Sequence, residues 1–493
     1  LKCSNALAGR ALSYNRSTSS LFMLMESVFI RLLTCTLAFV SALSVSVTRR
    51  EPGWNDPDII AEPGHWVQLP SSIFQEKAPR PFPPQKAYNS EEVQNVSSIV
   101  VLIAAFRESR AVDTLQSMFS RAWNSSRVFV GVVQQNTPGD EDALEELCRR
   151  LDNPLELKKK FRGREDLHKR QHDEDIWGHS RYTQESLEAC EPARRVRMFR
   201  MASEEAKGPA YARARQPLLL ENGDGIEDFC MQIDAHTIFV QGWDDEVVRQ
   251  WAATDNEYAV LTTYPTNAND LTEDGYATNT NNHWEMPHLC TADIVGPGMI
   301  RNGQAGAAAM LTKPPLSKFW AAGLSFSRCH AERDVPADPE MRHIFNGEEF
   351  GRGARLWTNG YDFYSMARPV IGTYYGNEKG GKGSWRGNSA ELRAAEARLA
   401  QLFECEGGDL SSLKGFGLGK RRELDAYLKL TGIDFHSSHV TNTPCAVDHW
   451  VPWSAGGPPA YEMLPESPVA LGVDIASRQS AHRDEGFLRP RAL

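Results

Sequence analysis

Asp234-Ala235-His236 stands directly after the apolar run Phe229-Cys230-Met231-Gln232-Ile233. Side chains of a strand alternate with a period of two, so this spacing predicts a carboxylate and an imidazole on one side of a strand's end. An oxygen and a nitrogen donor held together there make two ligands for a divalent metal, and the mixed set suits Mn²⁺ better than Ca²⁺. A cation so held could neutralise the charge that develops on a diphosphate leaving group. D-x-H triplets also arise by chance, and by itself the triplet favours a turn aspartate beside a solvated histidine. Such a two-ligand site relies on the diphosphate and water or gains a third protein ligand, for which His283, His288, His330 and His343 are the candidates. His330, close after the stretch Trp320-Ala321-Ala322-Gly323-Leu324-Ser325-Phe326-Ser327, is the first choice.

Glu348-Glu349 follows Asn346-Gly347 and opens a helical pattern over residues 348–355. Acids in a first turn are favourable through the helix dipole alone, so capping weighs about as much as chemistry. Lys207 and Arg213 flank Gly208-Pro209 at another helix start, where amides and a guanidinium suit phosphate or sugar hydroxyls. Arg107 follows the first apolar run. Arg352 and Arg355 lie one turn apart and either face a diphosphate or pair with Glu348 and Glu349. For each of these cations, an ordinary surface pairing is the default reading.

The elements that must position these groups read as α/β. Residues 98–105 and 127–133 are continuous apolar runs typical of buried parallel strands. Between them, Val112, Leu115, Met118 and Phe119 recur at helical spacing. Further strands are expected at 196–201, 229–233 and 257–263, and an interrupted helix at 204–216. Strand–helix–strand order predicts a mostly parallel central sheet flanked by helices, with ligands beyond the strands' carboxyl ends. Arg107 and Glu108 fall there. Residues 376–388 hold four glycines before Trp385 and form a candidate mobile lid. The mixed-sign run 158–181 reads as a solvated insertion.

The 493 residues suffice for one large domain or two. A formal net charge of −10 argues against a phosphate-tracking nucleic-acid surface. Residues 1–26 are an uncertain leader. Residues 27–47 are mostly apolar, followed by Arg49-Arg50, and suit a membrane anchor or a signal peptide, with a type II anchor favoured. Residues 48–97 read as a stem, 98–435 as the catalytic domain and 436–493 as a tail. Asn15, Asn95 and Asn124 begin N-x-Ser sequons. Nine cysteines without C-x-x-C spacing suggest neither a zinc site nor a disulfide scaffold, and they leave the compartment open.

Five stretches belong together: Ala104-Ala105-Phe106-Arg107-Glu108, Lys207-Gly208-Pro209-Ala210-Tyr211-Ala212-Arg213, Asp234-Ala235-His236, the run 320–327, and Ile344-Phe345-Asn346-Gly347-Glu348-Glu349-Phe350. In order and spacing, residues 98–435 resemble the polypeptide N-acetylglucosaminyltransferases of glycosyltransferase family 60. Their best-known activity is transfer of α-GlcNAc from UDP-GlcNAc to hydroxyproline on a ubiquitin-ligase adaptor. The resemblance implies a GT-A-type fold and a metal-dependent, retaining transfer of GlcNAc to a protein hydroxyl of hydroxyproline, Ser or Thr. It implies Glu348 and Glu349 as catalytic residues; the residues' own positions add Arg107, Lys207, Arg213, Asp234 and Arg355 as expected donor-binding residues, and Asp234, His236 and His330 as the expected ligands of Mn²⁺. Two departures stand out: Asn359 where members carry His, and Gly372-Thr373-Tyr374-Tyr375 without the expected His. One alternative is a secretory-pathway polypeptide transferase of another sugar such as GalNAc. Another is a non-catalytic glycan- or protein-binding relative. Location is expected at the Golgi or secretory-pathway membrane, with the cytoplasm as the alternative.

Overall fold

The computed structural model describes residues 58–61, 97–156, 182–220, 228–278, 284–303, 306–309, 314–376, 389–404 and 415–442, with single positions at 311, 387 and 413. All lie in the compact unit that contains Trp54–Leu493. The chain lays down β1 (Asp58–Ala61), β2 (Ile99–Phe106), β3 (Val128–Asn136), β4 (Val196–Ala202) and β5 (Phe229–Asp234), then a short β6 (Thr237–Phe239). Next come β7 (Ala259–Thr262) and β8 (Thr266–Asn267). Strands β9 (Glu285–His288), β10 (Ala292–Gly296), β11 (Met299–Asn302) and β12 (Gly306–Ala309) form two antiparallel pairs, β9 with β12 and β10 with β11. Then come β13 (Leu316–Ser317), β14 (Leu324–Arg328), β15 (Asp362–Tyr364) and β16 (Ile371–Thr373), and last an antiparallel pair, β17 (Ile433–Asp434) and β18 (His439–Val440).

The central sheet has nine strands in the order β1-β4-β3-β2-β5-β14-β7-β15-β13. Only β14 and β13 run against the rest. The mostly parallel α/β sheet expected from the apolar runs is therefore present. β2 shows why: Ile99, Val100, Val101, Leu102 and Ile103 are all buried, so both faces are covered. Helix α1 (Ala111–Arg121) covers one face with Ala111, Val112, Leu115 and Met118. Each of the larger side chains among these, fully buried, contributes about 1.5–3 kcal/mol against exposure.

Among the described residues, six further helices precede β15: α2 (Ala143–Arg150), α3 (Gln184–Ala189), α4 (Pro209–Arg213), α5 (Trp243–Ala252), α6 (His330–Asp334) and α7 (Glu348–Thr358). After β16 come α8 (Ser389–Leu402) and α9 (Leu424–Thr431). In α5, Trp243 and Trp251 are buried, and they meet Phe239 and Phe229 at ring-centroid distances of 4.5 and 4.9 Å.

Strand order locates the functional end. From β2 the chain builds outward through β3 and β4, then returns to place β5 on β2's other side, with Ala104 opposite Asp234. That reversal opens a crevice between the carboxyl ends of β2 and β5, the usual ligand position in such sheets.

Three expectations need correction. Residues 58–61, assigned to a stem, form an edge strand parallel to β4. The domain continues past residue 435: Asn442 exchanges hydrogen bonds with the backbone of Ala292, at 2.8 and 3.2 Å. Disulfides join Cys148 to Cys190 and Cys230 to Cys329, across 42 and 99 residues. Cysteine spacing hides such pairs because tertiary placement creates them: Cys148 of α2 meets Cys190 at the end of α3, and Arg328 of β14 lies opposite Phe229 of β5, which brings Cys329 to Cys230. The leader, the anchor segment, the insertion 158–181, most of the glycine-rich stretch and residues 443–493 lie outside the described residues. Among the described residues no helix is long and apolar enough to cross a membrane.

Candidate functional site

β5 ends at Asp234, and residues 235–236 form a bend before β6. The period-two expectation therefore holds in effect though not in form: His236 leaves the strand yet stays beside Asp234. The bend is tied on every side. Thr114 of α1 donates to the Ala235 carbonyl at 2.9 Å and accepts from the Thr237 amide at 3.0 Å. Thr237 Oγ1 donates to the Asp234 carbonyl at 2.8 Å. The Tyr374 amide and the Thr373 hydroxyl donate to the His236 carbonyl at 3.0 and 3.1 Å.

His236 Nε2 lies 3.9 Å from Asp234 Oδ2, a gap that two metal–ligand bonds of about 2.1 Å can span. That nitrogen is buried and has no hydrogen-bond partner. An unpaired buried imidazole nitrogen is costly unless something else takes its lone pair. The pair thus fits a divalent cation. On the ring's other side, Nδ1 sits 3.2 Å from Glu108 Oε2. Gly323 leaves room: a Cβ there would stand 3.5 Å from Asp234 Oδ2 and 3.3 Å from Pro265 Cδ.

Arg213, at the end of α4, links this strand end to α7. Its Nη2 donates to Asp234 Oδ1 at 3.1 Å, and its Nη1 donates to Glu348 Oε1 at 2.7 Å. Burial opposes the guanidinium's charge, but Glu348 and Asp234 outweigh it and hold its pKa above the ordinary value. Glu348 keeps its second oxygen outside this pairing.

Glu349 is used differently. Its Oε1 accepts from the Ala322 amide at 2.8 Å, and its Oε2 accepts from Tyr264 at 2.6 Å and Asn302 at 3.2 Å. Burial pushes its carboxyl up to about 7, against the pull of those donors. Residue types at adjacent positions gave no reason to separate the two acids; the helix turns Glu348 toward Arg213 and Glu349 toward Ala322, Tyr264 and Asn302.

The other expected residues are placed elsewhere. His330 begins α6 beyond β14, and β14 runs antiparallel to β5, so His330 stands at the opposite end of the sheet. Five strand steps alone are roughly 17 Å. There it meets Tyr361 at 2.9 Å and Glu257 at 3.5 Å. His288 is buried against Ser365, and His343 pairs with Glu391, while His283 lies outside the described residues. Among the described residues, no set of three His, Cys, Asp or Glu side chains suits a metal.

Arg107 pairs with Asp140 at 2.7 Å. Lys207 binds Glu391 at 2.6 Å, together with Arg342 and His343. Arg355 is buried and donates to the Pro336 carbonyl at 2.7 Å, and burial lowers its pKa to about 10. Arg352 binds Gln232 and Glu332 rather than Glu348 or Glu349. Both arginines point into the protein from α7, so neither is placed as a diphosphate contact.

Of the two departures, Asn359 caps the far end of α7 by donating to the Arg355 carbonyl at 2.8 Å. The stretch 372–375 falls at the site itself, against the His236 carbonyl. Tyr264, Asn302 and Glu108 were not among the expected site residues. Glu108's place at the end of the first strand was the one available signal.

A family model described as Glycosyltransferase (GlcNAc) matches residues 98–437. No curated protein sequence matches the chain significantly. Among solved structures, the chain is similar to GalNAc-T7 crystallised with UDP, GalNAc and Mn²⁺, at 14% identity and a TM-score of 0.39. That match covers 68% of this chain and 56% of GalNAc-T7, so the chain spans little more than half of that relative's length. It is also similar to residues 1–349 of S. aureus TarS in complex with UDP-GlcNAc, at 8% identity and a TM-score of 0.33, covering 65% of this chain and 70% of that one.

Proposed function

Because the chain belongs to the glycosyltransferase (GlcNAc) family, we propose that it transfers GlcNAc from UDP-GlcNAc to a protein hydroxyl, with retention, on a GT-A-type fold. The observation that carries this reading is the pairing of Asp234 with a partnerless His236 Nε2 in the crevice between β2 and β5. The order of the five motifs supports a place within family 60 and hydroxyproline, Ser or Thr as the accepting residue.

Asp234 and His236 would hold a divalent cation, Mn²⁺ for preference, which when bound supplies positive charge to the departing diphosphate. Arg213 holds Asp234 by one oxygen, which leaves Oδ2 facing the imidazole. The same guanidinium fixes Glu348, whose second oxygen is the group best placed to orient a sugar or acceptor hydroxyl. Glu349, with both oxygens engaged, sets the position of α7's first turn. A fixed dipole and charge arrangement of this kind needs no rearrangement as charge develops, which is where most of its catalytic value lies.

We also place the enzyme in the secretory pathway. The disulfides Cys148–Cys190 and Cys230–Cys329 among the described residues suit an oxidising compartment, and Asn124, which opens a sequon, is exposed. A mobility shift of the native protein on endoglycosidase treatment, lost in Asn124→Gln, supports that location; an unglycosylated chain with free thiols contradicts it.

The activity test supplies the full chain with UDP-GlcNAc, UDP-GalNAc or UDP-Glc and a hydroxyproline- and Ser/Thr-containing peptide library, and reads sugar on peptide by mass. GlcNAc on peptide from UDP-GlcNAc alone is the expected result. Transfer from UDP-GalNAc instead moves the protein to a different sugar. No transfer and no UDP binding refutes the enzymatic reading.

A further inference from the structure

We propose that Glu108 is a positioning residue for His236, fixing the ring so that Nε2, not Nδ1, meets the cation. The proposal rests on the reading that Asp234 and His236 hold a divalent metal. A neutral imidazole carries one proton, and a carboxylate beside one nitrogen draws the proton there. Glu108 Oε2 lies 3.2 Å from Nδ1, while Nε2 faces Asp234 Oδ2 at 3.9 Å with no hydrogen-bond partner. The Nδ1–H form therefore leaves the lone pair of Nε2 aimed at Asp234.

The carboxylate is itself held. Its side chain is 5% exposed, and Oε1 accepts from the Arg110 amide at 3.0 Å. Arg107, immediately before it, adopts a left-handed φ of 48°, uncommon for a residue with a side chain, while its amide donates to the Gln135 carbonyl at 2.9 Å. That turn carries the chain off the end of β2 and directs Glu108 across the crevice toward β5's end. The backbone that carries the ring is held as well, because Thr373 and Tyr374 donate to the His236 carbonyl. A carboxylate placed behind a metal-binding histidine orients it and raises its basicity, and loss of such a partner typically weakens metal binding about 10–100-fold.

The test uses the full chain labelled with ¹⁵N-histidine, the His236 signals being assigned from His236→Gln. Metal-free protein is expected to show His236 protonated at Nδ1, and a ring protonated at Nε2 overturns the proposal without any change at Glu108. Mn²⁺ binding is then titrated by electron paramagnetic resonance, with and without UDP. Glu108→Gln is expected to weaken Mn²⁺ about 10–100-fold while its melting temperature stays near the wild-type value. Wild-type Mn²⁺ affinity in Glu108→Gln, with loss of binding in Asp234→Asn, overturns this inference and leaves the metal reading standing. A wild-type protein that binds no Mn²⁺ overturns both.

Discussion

Replacing Glu349 by Gln makes stability and pH separable. The Glu349 carboxyl ordinarily titrates near 4.5, and burial raises it to about 7 in the folded protein. The folded state therefore holds this proton more tightly than the unfolded chain. Its contribution to stability is complete below 4.5 and disappears as pH rises through 7. Linkage across that window gives a loss of about 2.5 kcal/mol between pH 5 and pH 8. Gln keeps the side chain's volume and one acceptor oxygen but cannot ionise. Urea unfolding of wild type and Glu349→Gln at pH 5, 6, 7 and 8 isolates this group, since every other titration is shared. The stability difference, wild type minus variant, should fall by about 2.5 kcal/mol from pH 5 to pH 8. A difference that stays constant within about 0.5 kcal/mol would show that Glu349 titrates as an exposed acid. The burial and the Ala322, Tyr264 and Asn302 contacts would then not describe the folded state.

Arg213→Leu removes the cation that pairs with both Asp234 and Glu348 and should cost about 3 kcal/mol, toward the lower end for a broken buried pair because Asp234 is partly solvated; denaturant unfolding reads this, and unchanged stability would contradict the pairing. Glu348→Gln should lower kcat while UDP affinity by calorimetry stays within a few-fold; equal losses in both would make Glu348 a donor-binding group. Cys230→Ala with Cys329→Ala opens a cross-link spanning 99 residues and should destabilise the domain by about 2–5 kcal/mol in unfolding experiments. Identical unfolding of wild type with and without reductant would mean that the bond does not form.

Much of the fold is legible in the sequence because β2, β3 and β5 are buried on both faces, which forces nearly continuous apolar runs. The D-x-H was legible only together with the other four stretches, since by itself it favours a turn aspartate beside a solvated histidine. Partners distant in sequence were not. Arg213 meets Glu348 across 135 positions, a pairing that helix placement creates and spacing does not encode. His330 failed because apolar patterning reveals a strand but not its direction, and β14 runs antiparallel to β5. Arg355 failed because helical spacing alone does not say which face of α7 looks at the crevice. Glu349 was legible as an acid beside an acid; its burial, which sets its titration, depends on Ala322, Asn302 and Tyr264 arriving from three other segments.

The most direct measurement is UDP release by the full chain from UDP-GlcNAc, with Mn²⁺ and with chelator, for wild type and Asp234→Asn. Metal-dependent release by wild type, lost in Asp234→Asn without loss of folding, is the predicted result. Release that is indifferent to chelator, or that survives in Asp234→Asn, would contradict the assignment of Asp234 and His236 as the centre of the chemistry.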